Sequence, residues 1–245
     1  MTNPITAVVV VILTVVEDDL NVLLIKRSED PFRDYWALPG GLLADDESLD
    51  RAAARKLFDE TGVRDVYLEQ LYTFGELSRG ITPEPTRGTG ASKKKKKTPA
   101  PKIPTTYNLK PKTFRRGLAV TYFALVQHEQ VRLRDTTAWH PAWHNAYTLP
   151  ALAFDNNLVV DYAIRRLRAK LDYTNVAYSL LPRTFTLSEL QQVYEAILDR
   201  PMDKRNFRRR MLSLGIIKAS GGTRMEGAHR PAQLYTFTKR EPVVV

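Results

Sequence analysis

The chain has 245 residues, 43% of them hydrophobic, with 37 Lys/Arg against 27 Asp/Glu and no cysteine. That length supplies one large or two small domains, and the missing thiol excludes a disulfide framework, a cysteine nucleophile and a Cys-based zinc site. The net charge of +10 is uneven: residues 79–116 hold 12 Lys/Arg and 1 Asp/Glu, residues 182–245 hold 12 and 6, and the rest of the chain sums to −7, which points to nucleic acid or another polyanion.

The chain opens on strands. The run from Ala7 to Val16 is β-branched, lacks a basic leader and is too short to span a bilayer, so it reads as a buried strand. A turn at Glu17-Asp18-Asp19 leads to a second strand, Val22–Arg27. Ser28 to Tyr35, with Pro31, Phe32 and Arg33, reads as a polar loop. Trp36-Ala37-Leu38 is a short apolar strand, and Pro39, Gly40 and Gly41 form a turn after it.

The next stretch, GLLADDESLDRAAARKLFDETGV from Gly41 to Val63, reads as loop, helix, loop. Asp45, Asp46 and Glu47 sit where a helix N-terminus favours negative charge. Leu49, Ala52, Ala53 and Leu57 make an apolar helical face, and Gly62 ends the helix. Lys56, Asp59 and Glu60 share one side of it. The stretch resembles the Nudix box, G-x5-E-x7-R-E-U-x-E-E-x-G-U with U a bulky aliphatic residue: Gly41, Glu47, Arg55, Leu57, Glu60, Gly62 and Val63 match. Asp59 is a conservative replacement, whereas Lys56 stands where the family has glutamate. The box implies a helix face of carboxylates that holds Mg²⁺ against phosphates. An ammonium at position 56 repels that cation or pairs with Asp59 and Glu60, so the resemblance implies a Nudix fold with impaired hydrolysis. The plain alternative is an amphipathic surface helix with no ligand role.

Val66 to Gly75 reads as another strand. Residues 79–113 then change character, with six prolines, the run Lys93–Lys97 and no apolar periodicity, and read as a flexible basic insertion. It is either an electrostatic arm for DNA phosphates or a solvated loop. Gly117 to Val126 is a clear strand. His140 and His144 are four apart, but Pro141 disfavours a helix and no acidic partner accompanies them, so both read as packing and surface residues. Leu158 to Leu171 is an amphipathic helix, and the first domain, 1–173, closes near Tyr173.

The remainder, 174–245, is a second domain. Thr186-Leu-Ser-Glu189 is a capping-box signature before Leu187, Leu190, Val193, Tyr194, Ile197 and Leu198 at helical spacing. Asp199 to Met202 makes a turn. Asp203 caps a second helix, Lys204–Leu214, with Phe207, Met211 and Leu214 as its buried stripe and Gly215 at its end. Arg205, Arg208 and Arg209 project away from that stripe and Asn206 flanks it. A short strand Ile216–Ala219, a glycine-rich loop to Ala232 and a strand Gln233–Phe237 complete a winged helix-turn-helix. Such a module lays its second helix in the DNA major groove, where arginines reach phosphates or guanines. Lys204, Arg205, Asn206, Arg208 and Arg209 are the candidate DNA contacts, with Arg224, His229 and Arg230 on the wing. A winged helix serving protein contact or dimerisation alone is the competing reading.

Taken together, the two halves resemble the NrtR-type Nudix-related transcriptional regulators. The resemblance rests on WALPGG at 36–41, the altered box, LAFD at 152–155, FTLSELQQVYEAIL at 185–198, DKRNFRRRML at 203–212 and HRPAQLYTF at 229–237. It implies an α+β chain: a Nudix α/β/α sandwich with a mixed sheet, then the winged helix. It implies a cytoplasmic homodimer, a repressor of NAD biosynthesis or salvage genes, that binds double-stranded operator DNA and senses ADP-ribose or a related nucleotide. No membrane partner and no required cofactor are expected. Arg27, Arg33 and Trp36, with Arg116 for the phosphates, are the candidate ligand residues. The rival reading is a Mg²⁺-dependent ADP-ribose hydrolase with an accessory winged helix, in which Glu47, Asp59 and Glu60 carry the metal and Arg55 completes the box. A sugar-responsive regulator on the same scaffold is a third.

Overall fold

Side-chain alternation along the first strand sets the architecture. β1 (Ile5–Val16) turns through Glu17 and Asp18, both at positive φ, into the antiparallel β2 (Asp19–Arg27). Two short strands, β3 (Trp36–Ala37) and β4 (Gly40–Leu42), lead to α1 (Leu49–Thr61). β5 (Tyr67–Phe74), β6 (Gly117–Leu125), β7 (Trp139–Asn145) and α2 (Asn156–Tyr173) follow. The computed structural model describes residues 5–30, 32–75, 117–133, 139–225 and 231–244. The expected basic insertion at 79–113 with Lys93–Lys97, the ligand candidate Arg116, and the wing residues His229 and Arg230 lie outside the described residues.

The seven strands form one sheet in the order β3-β2-β1-β6-β5, with β4 on β1 and β7 on β2. β1 and β6 run parallel and the other pairings are antiparallel, so the sheet is mixed. Val8, Val10 and Ile12 point to one face and pack on Ala52, Ala53 and Leu57 of α1. Val11 and Leu13 point to the other and join Val159, Val160, Ala163 and Leu167 of α2. A period of two along β1 thus buries both faces under helices, which is the α/β/α sandwich. Ser48 caps α1 by accepting from Arg51 N, and Gly62 ends it in the left-handed region at φ 69°, where a glycine carries no steric cost.

The structure departs from the sequence reading in two places here. Trp139 to Asn145, read only as packing and surface positions, is a strand along the edge of β2. Pro141 is tolerated because an edge strand need not donate every N–H. Phe32, in the expected polar loop, is buried against Ala37 and Ala153.

After α2 a 3-10 turn, Val176–Leu180, precedes β8 (Phe185–Thr186), α3 (Leu187–Leu198), α4 (Lys204–Ser213), β9 (Ile217–Arg224) and β10 (Ala232–Phe237). The three strands pair in the order β8-β10-β9. The capping box on α3 forms in full, with Thr186 accepting from Glu189 N and the Glu189 carboxylate accepting from Thr186 N. Asp203 caps α4 by accepting from Asn206 N at 2.8 Å. Leu190, Val193, Tyr194 and Ile197 pack on Phe207 and Met211, and this core runs on without a break into that of α2. The stripe of α4 is narrower than expected, since Leu214 is 38% exposed. β9 is also longer than expected: it continues through Ser220, Gly221 and Gly222 to Arg224, because β10 supplies a pairing edge that composition alone does not reveal. The C-terminal tail is stitched back to the domain junction. Asn175 donates to the carbonyls of Lys239 and Glu241, and Arg240 donates to those of Tyr178, Leu181 and Pro182.

Candidate functional site

On α1, Arg55 clamps Glu47 in a bidentate pair, Nε to Oε1 at 2.8 Å and Nη2 to Oε2 at 2.6 Å. This planar fork ties the box's leading loop to its helix. It also holds the Glu47 carboxyl below its usual range, the hydrogen bonds from Arg55 being the largest cause and the charges of Arg55, Lys56 and Arg51 adding to it. Asp59 lies exposed with its carboxylate 3.9 Å from the same arginine. Glu60 is buried, only 3% exposed. Lys56 lies flat over Gly41: a β-carbon on that glycine would meet Lys56 Cε at 2.8 Å and Nζ at 3.1 Å. No ion pair of Lys56 with Asp59 or Glu60 forms among the described residues, so the side chain reaches back to the loop instead.

This donor set does not fit Mg²⁺. Both oxygens of Glu47 are taken by a guanidinium, and an ammonium stands where the box has a carboxylate. Among the described residues no group of three or more His, Asp or Glu is placed to hold a metal ion. A divalent cation needs several converging oxygens to replace its water.

On the α2 side of the sheet lies a cavity of about 650 Å³. Ile5, Ala7, Val9, Ile25, Leu38, Leu42 and Phe154 give it apolar walls, and the β4 glycines Gly40 and Gly41 complete the lining. Of the expected ligand residues, Arg27 lines it, with its guanidinium 5.2 Å from the centre of the Phe154 ring. Burial lowers the Arg27 pKa, with Glu29 opposing, yet a guanidinium stays charged at any working pH. Arg33 lies outside the lining, exposed beside Asp30 at 3.7 Å. Trp36 is also outside the lining; its ring stacks edge-on against His144 at 4.4 Å. Two lining residues escaped the sequence reading as ligand groups. Phe154 was quoted only as part of LAFD, and the buried Asn156 accepts from Leu38 N at 2.8 Å, fixing the β3–β4 wall to α2.

In the second domain, Lys204, Arg205, Asn206 and Arg209 occupy the exposed side of α4. Arg209 donates to Asn206 Oδ1 at 2.8 Å, which pre-orients both side chains. Arg208 differs from expectation. It is half-buried beside the apolar stripe, and its Nε is buried without a partner among the described residues. Arg224, expected to face a ligand from the wing, is turned inward: Nη1 donates to Glu189 Oε1 at 2.7 Å and Nη2 to the Thr184 carbonyl at 3.3 Å. None of the described helices is long and apolar enough to cross a membrane.

A Nudix-type sandwich carrying a winged helix is the architecture of a DNA-binding protein built on a nucleotide-binding fold. Residues 177–237 match the NrtR DNA-binding winged helix domain and residues 5–99 match the NUDIX domain. The chain is 34% identical, over 98% of its length and 84% of the relative's, to a protein of Acinetobacter baylyi described as the ADPR responsive transcriptional repressor NtrR. Crystal structures of Shewanella oneidensis NrtR, one of them complexed with a 27mer DNA, superpose with a TM-score of 0.71 at 30% identity. They cover 95% of this chain, which covers 93% of the DNA-bound relative and 94% of the other. The chain belongs to the NrtR family of Nudix-related regulators.

Proposed function

We propose that the protein is an ADP-ribose-responsive transcriptional repressor of NAD biosynthesis or salvage genes. It acts in the cytoplasm as a homodimer and binds operator DNA through two copies of α4. The observation that carries this reading is the exposed cationic side of α4, with Lys204, Arg205 and Arg209, on the second helix of a winged module. Similarity along nearly the whole chain to a repressor described as ADPR responsive supports the rest. Arg205 and Arg209 contact phosphates or guanine edges, and Asn206 is placed for an adenine. The cavity behind β4, with Arg27 over Phe154, receives the nucleotide. The effector acts by preferring one arrangement of the two winged helices, which shifts the population away from the geometry that matches two half-sites. No cofactor is required, and the altered box binds ADP-ribose without hydrolysing it.

The test is fluorescence anisotropy of promoter fragments from NAD-pathway genes, with and without ADP-ribose. Salt is held fixed, because counterion release makes such affinities steeply salt-dependent. Tight binding that ADP-ribose weakens supports a repressor released by its effector. Binding no better than to random DNA would sink the proposal.

A further inference from the structure

We propose that Lys56 takes the place of a divalent cation: its ammonium holds the diphosphate of the bound nucleotide, so that the effector is sensed without metal. This rests on the reading above that the effector is a nucleotide diphosphate.

The geometry begins at Gly41. In the β1–β4 ladder Gly41 stands opposite Val8, whose side chain packs under α1, while Gly40 and Leu42 stand opposite Val9 and Ala7, which line the cavity. Gly41 is therefore one strand thick, with the cavity behind it and Lys56 in front. β4 is three residues long and pairs with β1 alone among the described residues. A ligand seated in the cavity can pass that open edge, and its next group then meets the lysine. The absence of a side chain at Gly41 lets the ammonium lie against the backbone, because any β-carbon there would displace it.

Charge at this point is not spent internally. Glu47, whose carboxyl feels the Lys56 charge, is already satisfied by two nitrogens of the Arg55 fork. Lys56 makes no ion pair or hydrogen bond among the described residues. An ammonium offers three donors and a full charge to phosphate oxygens. It neutralises a ground-state diphosphate as a metal does. It does not lower the pKa of a bound water, which is how a metal generates the attacking hydroxide. An interaction equally good in ground and transition states binds without accelerating. One substitution thus converts a hydrolytic site into a binding site and removes its dependence on magnesium.

The experiment is calorimetric titration of the full-length protein with ADP-ribose, and separately with inorganic pyrophosphate, in EDTA and in Mg²⁺. The wild type is expected to bind each ligand with the same Kd, to within about twofold, in both buffers. Lys56→Gln is expected to raise both Kd values by about tenfold or more, at a nearly unchanged melting temperature because glutamine keeps most of the half-buried stem against Gly41 and no ion pair is lost. Wild-type binding that requires Mg²⁺, or Lys56→Gln binding as tightly as wild type, overturns the proposal. If ADP-ribose fails to bind while pyrophosphate binds without metal and depends on Lys56, the ADP-ribose reading falls and the lysine's role stands. If ADP-ribose binds only with Mg²⁺, the lysine's role falls and the ADP-ribose reading stands.

Discussion

The Tyr147 hydroxyl donates to the carbonyl of Ile197, 2.6 Å away, with the Ala196 carbonyl at 3.0 Å. Tyr147 follows β7 in the first domain, and Ile197 lies in the last turn of α3 in the second. Arg168 of α2 donates its Nε to the same Ile197 carbonyl at 2.8 Å, with its guanidinium 5.1 Å from the Tyr147 ring centre. Helix C-termini leave carbonyls without intrahelical partners, and here the neighbouring domain satisfies them. We expect Arg168→Ala to destabilise the chain by about 1–2 kcal/mol and Tyr147→Phe by about 1 kcal/mol. We also expect Arg168→Ala to shrink the effect of ADP-ribose on DNA affinity, because the two domains lose a shared rigid contact. Calorimetric melting and anisotropy on the same variants check both; an unchanged ligand response would confine the contact to stability.

The exposed side of α4 should read out in salt dependence. Arg205→Ala and Arg209→Ala are each expected to weaken DNA binding without lowering the melting temperature. A lost phosphate contact reduces the slope of log K against log salt by about 1, and a lost guanine contact costs about 1–3 kcal/mol at one base pair. Arg208→Ala is expected to weaken binding and also to change stability, since the side chain is half-buried and its Nε is enclosed without a partner among the described residues. Undiminished affinity in Arg208→Ala would remove it from the contact set.

Acidification should act through His144. Burial lowers its pKa from the ordinary 6.5, and its Nε2 is enclosed without a partner among the described residues. The unfolded chain therefore takes up a proton at this site more readily than the folded one. Stability from this group is full above pH 6.5 and is lost as pH falls from there through the folded value. We expect the melting temperature to drop over that range and His144→Phe, which keeps the edge contact with Trp36, to flatten the drop. Parallel pH profiles for wild type and variant would contradict this.

Restoring the box's own residue makes a further check. Lys56→Glu is expected to make ADP-ribose binding rise with Mg²⁺, because a carboxylate there favours the cation. Release of AMP from ADP-ribose, followed by chromatography, separates the regulator from the hydrolase: none is expected from wild type, and a measurable rate from Lys56→Glu would show that the remaining carboxylates can still work with metal. A substantial wild-type rate would favour the hydrolase reading.

What could be read in the sequence was local. Thr186, Asp203 and Gly62 mark helix ends through hydrogen bonds within a few residues, so α1, α3 and α4 were legible, although the Ser48 cap places the start of α1 after Asp45, Asp46 and Glu47 rather than on them. The β-branched run of β1 announced a buried strand. β7 was hidden because its pairing partner, β2, lies more than a hundred residues away, and its histidines and proline have no strand pattern of their own. The pocket was legible at Arg27 and not at Phe154 or Asn156, whose roles depend on α2 folding back over β3 and β4. Arg33 and Trp36 had suitable chemistry for a ligand, but the loop's turn aims one at solvent and β7 covers the other. The Arg224–Glu189 pair was hidden for a related reason: a basic residue on a wing also finds acids inside its own domain.

That inward arginine fixes how the reading head can move. The Glu189 carboxylate takes Thr186 N on one oxygen and Arg224 on the other, so the start of α3 and the tip of β9 hang from a single side chain. The described end of β9 is thereby tied to the start of α3 as well as to its own hairpin partner. In the homodimer proposed above, an effector would then act on the spacing of two such heads, a caliper whose span changes while its jaws keep their shape.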